Sequence, residues 1–157
     1  MKVGRVRNTG LIVVLFATLW LAACDSGSSP SDSPKLPLQV TQGCDPVATT
    51  CEAQGSGVTM QLHLGPGVKP LQPFPLLLKV QGAGAEKADI HVDFGMVGMD
   101  MGINRYQLQR VAGKPGQWQG RITLPICTAG RQDWIATVTM ASAKGVYVAR
   151  YTFSSHK

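Results

Sequence analysis

Apolar and polar residues alternate one by one through most of the chain beyond residue 57, and this period of two constrains the fold more than any other feature. Val58, Met60, Leu62 and Leu64 alternate with Thr59, Gln61 and His63. Phe74, Leu76, Leu78 and Val80 follow, with Pro75 among them marking an edge strand or a strand start. Ala88, Ile90, Val92 and Phe94 face away from Asp89, His91 and Asp93. Tyr106 with Leu108, then Trp118, Ile122 and Leu124, then Trp134, Ala136, Val138 and Met140 continue the pattern, and Tyr147, Ala149, Tyr151 and Phe153 close it. A side-chain period of two places one set on a single sheet face, so each run predicts a half-buried strand.

Glycine and proline fill the gaps at Gly65-Pro66-Gly67, Gly82 to Gly84, Gly113 to Gly116 and Ala143 to Gly145, and no stretch shows helical periodicity. About seven short strands at this spacing predict an all-β, antiparallel immunoglobulin-like sandwich, with a small barrel as the alternative. Trp118 and Trp134 are expected between the sheets, and Met60 and Met140 are expected in the core.

The N-terminus has a different character. Lys2, Arg5 and Arg7 precede an apolar run from Leu11 to Leu21, with no acid before Cys24. A basic start, a short apolar core and small residues at a cut site are the marks of a secretory signal. Its last four residues, Leu21-Ala22-Ala23-Cys24, resemble the bacterial lipobox, whose cysteine is diacylated after cleavage. This predicts a signal peptide over 1–23 and a lipoprotein anchored in the bilayer through Cys24. Residues 24–41, rich in serine and proline, are expected to form a tether, and 42–157 the sandwich domain. Asp25 resembles the residue that retains lipoproteins at the periplasmic side of the inner membrane, which is favoured here over the outer membrane.

Three of the fifteen basic residues and none of the nine acids precede Cys24, leaving twelve against nine and a net charge of +3 for the remaining chain. With no basic run, nucleic-acid binding has no electrostatic support. No Gly-x-Ser-x-Gly elbow, His-Glu-x-x-His pair or phosphate-binding glycine loop occurs, so the expectation is a protein that is not an enzyme.

The segment Phe94 to Asn104 breaks the alternation. Met96, Met99 and Met101 fall within six residues, interleaved with Gly95, Gly98 and Gly102. Met99 and Met101 share a face of an extended segment, whereas Met96 falls opposite unless Gly98 allows a turn. Thioether sulfur is a soft, neutral ligand suited to Cu(I) rather than to zinc or magnesium. The competing reading is that these methionines fill a core gap or form an adaptable apolar contact surface.

Consecutive antiparallel strands reverse direction, so loops two apart lie at one end of a sandwich. Cys127, in the segment Pro125 to Arg131, is therefore expected at the methionine end, as are the loop Gly65 to Pro73 and His156. Met96, Met99, Met101 and Cys127 are the candidate metal ligands. Cys44 and Cys51 precede the first strand and are expected at the opposite end, joined as a local disulfide; the alternatives are pairing of either with Cys127 or use of the two as metal ligands. Cys127 is then left to ligation or burial. His63 and His91 fall on polar faces, as surface histidines do.

The methionine loop and the segment Leu124-Pro125-Ile126-Cys127-Thr128-Ala129-Gly130-Arg131-Gln132-Asp133-Trp134 together resemble FixH-like and YtkA-like periplasmic domains. They are also similar to lipoproteins found with SCO-type copper chaperones. The resemblance implies copper handling in cytochrome oxidase assembly, with Met96, Met99 and Met101 as ligands and an oxidase-assembly or chaperone protein as partner. The alternative expectation is a metal-free scaffold lipoprotein that uses the methionine loop for contact.

Overall fold

In the computed structural model, residues 34–82 and 84–155 are described. Cys24, the signal over 1–23, most of the expected tether and His156 lie outside them. The strands are β1 (Lys35–Pro37), β2 (Gln39–Val40), β3 (Cys51–Gly55), β4 (Val58–Leu64), β5 (Phe74–Gly82), β6 (Asp89–Gly95), β7 (Arg105–Gln107), β8 (Gln109–Arg110), β9 (Gln117–Ile122), β10 (Asp133–Ser142) and β11 (Gly145–Ser154), with one 3-10 turn at Ala85–Lys87. They form two sheets, ordered β1-β11-β10-β6-β7 and β2-β3-β4-β5-β9-β8. Every pairing is antiparallel except β1 with β11. The fold is an immunoglobulin-like sandwich, as the alternation predicts.

The inward sets are those read from the sequence: Met60, Leu62, Leu64, Leu76, Val92, Val138, Met140 and Tyr151 are wholly buried. Trp118 and Trp134 fill the space between the sheets, and the Trp134 indole N–H donates to Ser155 Oγ at 3.2 Å. The Tyr151 hydroxyl donates to the Met60 carbonyl at 3.0 Å and so ties one sheet to the other. Burial pushes the Tyr151 phenol well above its ordinary pKa, keeping the hydroxyl a donor. Pro75 is the second residue of β5, an interior strand, and precedes the pairing of β5 with β4, so its missing N–H breaks no rung there.

The count of about seven strands and the tether boundary at residue 41 both need correction. β1 and β2 lie inside the expected tether, and β3 precedes the first expected strand. Lys35-Leu36-Pro37 and Cys51-Glu52-Ala53-Gln54-Gly55 have little β-branched or aromatic character, so pairing partners rather than propensity make them strands. The expected strand at Tyr106–Leu108 divides at Leu108: β7 pairs with β6 in one sheet, and β8 pairs with β9 in the other. Leu38 divides β1 from β2 in the same way. Both leucines are buried where the chain changes sheets, and each backbone N–H finds a carbonyl, Leu38 on Val148 and Leu108 on Ile90, both at 2.8 Å. The sandwich is thereby laced along two sides, and its outermost strands are only two or three residues long.

One pole of the sandwich carries the β3–β4, β5–β6, β8–β9 and β10–β11 turns and the start of β1; it is called here the N-terminal pole. The other carries residues 41–50, Gly65–Pro73, the methionine loop and the β9–β10 connection. Ser33–Lys157 is one compact unit with a single closed hydrophobic core, the property that lets a domain fold without the segment before it.

Candidate functional site: a sulfur-bearing pole

β6 delivers the methionine loop to this pole, and glycine shapes it. Met96 to Met99 is a four-residue turn closed by the Met99 N–H on the Met96 carbonyl at 3.4 Å. Gly98 sits in it at φ 70°, a conformation glycine reaches without a Cβ clash. Met96 lies inward at 6 % exposure, continuing the alternation of Ile90, Val92 and Phe94, and after the turn Met99 and Met101 lie half-buried against the core rim. Beyond it, Asp100 Oδ1 accepts from the Gly102 N–H, and Asn104 Nδ2 donates to the Met101 carbonyl, both at 2.8 Å.

The β9–β10 connection meets this loop as strand direction predicts. Cys127, half-buried and a free thiol, donates to Met99 Sδ at 3.6 Å. Arg131 Nη1 donates to the Val97 carbonyl at 3.0 Å, while its guanidinium pairs with Asp133. That carboxylate raises the affinity of Arg131 for its proton. The arginine thus straps the turn to the connection bearing Cys127. The loop from Gly65 joins them through the Leu71 N–H on the Leu124 carbonyl at 2.9 Å.

Of the four candidate ligands, the structure brings Met99 and Cys127 into sulfur–sulfur contact, with Met96 and Met101 on either side of Met99 in the loop. Two sulfurs each about 2.3 Å from one tetrahedral ion are separated by about 3.8 Å, close to the 3.6 Å observed, which is equally the distance of a thiol–thioether contact with no ion. Among the described residues, no three His, Cys, Asp or Glu side chains gather as a ligand set.

Cys44 and Cys51 form a disulfide with Cα atoms 5.7 Å apart, but at the pole where they were not expected. Because β3 lies ahead of β4, the chain reverses once more than the sequence reading allows, and β3 starts at the sulfur pole. Cys44 and Asp45 accordingly line a cleft of about 300 Å³ with Val97, Asp133 and Trp134. The histidines have other partners: His63 Nδ1 lies 3.4 Å from the Thr49 carbonyl, and His91 Nε2 lies 3.6 Å from Asp93. Both are half-buried rather than fully solvated. Burial, and then the charge of Arg105, hold the His91 imidazole below its ordinary pKa.

Two features of this pole escape the sequence. One is the Arg131 strap. The other is an apolar rim: Leu71, Val97, Ile103 and Ile126 are 57–93 % exposed and all lie in its loops. An isoleucine or valine that falls outside the alternation, within a glycine-bearing loop, is the signal that marks them. No protein-family model matches the chain, and no curated protein matches it.

Proposed function

We propose that this protein is a membrane-anchored periplasmic Cu(I)-binding protein that assists copper delivery or cytochrome oxidase assembly through its methionine loop. The observation that carries the reading is the 3.6 Å approach of Met99 Sδ to Cys127 Sγ from two different loops. Met96 and Met101, in the same loop, are the further thioethers this reading would recruit. Thioethers hold Cu(I) without losing a proton, which favours release to a partner, and Cys127 adds a fourth sulfur to the set. Diacylation at Cys24 would confine the carrier to the membrane surface, the inner membrane being favoured by Asp25.

The apolar rim favours a second reading, a metal-free interaction module in which Leu71, Val97, Ile103 and Ile126 surround an adaptable methionine contact. One experiment separates the two. Residues 34–157 are titrated with Cu(I) against a competing chelator, as wild type and as the Met96→Leu/Met99→Leu/Met101→Leu variant. Copper binding by the wild type and its loss in the variant are expected, since leucine keeps the volume and removes the sulfur. Equal affinity in both removes the loop from copper chemistry and leaves the contact surface.

A further inference from the structure

The pole opposite the sulfurs is basic. Lys35 begins β1 opposite Val146, at the start of β11. Lys144 lies in the turn between β10 and β11, Lys87 in the 3-10 turn, and Arg110 with Lys114 around the turn from β8 to β9. All five are exposed. Their turns are contiguous: a Cβ on Gly84, one residue before the 3-10 turn, would lie 3.4 Å from Lys144 Cγ. Glu86 of that turn lines a cleft with Arg110 and Lys114. Among the described residues, two acids stand against these five cations, Glu86 and Asp89, and Asp89 is engaged by the Gln107 amide. At the sulfur pole Asp45, Asp93, Asp100 and Asp133 are matched by Lys69, Arg105, Arg121 and Arg131, with Arg105 and Arg131 ion-paired, so the described charges there balance. The excess of positive charge is therefore concentrated at the pole opposite the sulfurs.

We propose that the basic pole is a membrane-facing surface that rests on anionic phospholipid headgroups and so directs the sulfur pole away from the bilayer. The chain enters the fold at this same pole, only ten residues (25–34) after Cys24. Fully extended, such a segment reaches about 35 Å, so an anchored domain stays close to its membrane. Lysine and arginine near a surface bearing anionic lipid are attracted within a Debye length of about 10 Å, and one acid-poor pole within that range orients the whole domain. The Met99–Cys127 pair and its apolar rim then face the periplasm, where a protein partner can reach them. The anchoring and the role of the sulfur pole rest on the function proposed above; the excess of cations at the opposite pole does not.

The test uses residues 34–157 without the anchor and without copper, so failure of the copper reading cannot mimic its failure. Binding is measured by co-sedimentation with vesicles of phosphatidylcholine alone and with vesicles containing 30 % phosphatidylglycerol. At low ionic strength, at least tenfold stronger binding to the anionic vesicles is expected, falling away in 0.5 M salt. The Lys87→Glu/Lys114→Glu/Lys144→Glu variant, altered only at exposed turn positions, should lose that preference, whereas Lys79→Glu/Arg121→Glu/Arg150→Glu, altered on the strands, should keep it. Equal wild-type binding to both vesicle types overturns the proposal, as does a preference that salt leaves unchanged. A folded turn variant that binds as the wild type does, or equal losses in the two variants, places the attraction elsewhere and also overturns it.

Discussion

Trp134→Ala is expected to lower the unfolding free energy by about 3–5 kcal/mol, the largest loss from any single substitution in this domain. The indole is 1 % exposed and stands where β10 leaves the sulfur pole, opposite Phe153 of β11. Its removal opens a cavity the two sheets cannot collapse to fill, because β10 is held by β6 on one side and β11 on the other. It also strips the buried Ser155 hydroxyl, 2 % exposed, of its indole donor. Trp134→Phe isolates that second effect and should cost less, about 1–3 kcal/mol. Urea unfolding followed by circular dichroism measures both. A loss under about 1 kcal/mol for Trp134→Ala would mean the indole does not organise this end of the core.

Removing the disulfide has the next largest expected effect. Cys44 and Cys51 close a loop with a sequence separation of 7, for which the chain-entropy relation gives a stabilisation of about 2.5 kcal/mol. For a domain of this size that corresponds to a fall in Tm of about 10 °C. The Cys44→Ser/Cys51→Ser variant should show it, and the reduced wild type should match the variant. The loss should be felt at the sulfur pole, because the loop carrying Cys44 and Asp45 forms one wall of the cleft whose other wall includes Val97 and Asp133. An unchanged Tm would show that residues 41–50 are held by their own hydrogen bonds, such as the Leu64 N–H on the Pro46 carbonyl.

The core was legible because burial obeys the strand period: each inward set from Val58 to Phe153 follows alternation in the sequence. What alternation could not show is a strand made of small and polar residues. β3 buries only Cys51 and Ala53, too little apolar area to stand out, yet its presence reverses the chain once and moves the disulfide from one pole to the other. β1 and β2 were hidden for a related reason, since a proline-containing segment is ordered by the edges it closes and by Leu38 beneath them. That Cys127 lies at the methionine pole was legible from strand direction, whereas its contact with Met99 was not, because sharing an end does not fix how two loops pack. Met96 is inward because it continues the alternation of Ile90, Val92 and Phe94, whereas the turn at Gly98 that follows it depends on backbone conformation and not on residue spacing.

The central claim is that soft sulfur donors from two loops share one ion, and X-ray absorption at the copper edge of the Cu(I)-loaded domain tests it most directly. A first shell of sulfur at about 2.3 Å, losing scatterers in Cys127→Ser and in Met99→Leu, is the expected result. A shell of nitrogen and oxygen, unchanged in both variants, would contradict the account.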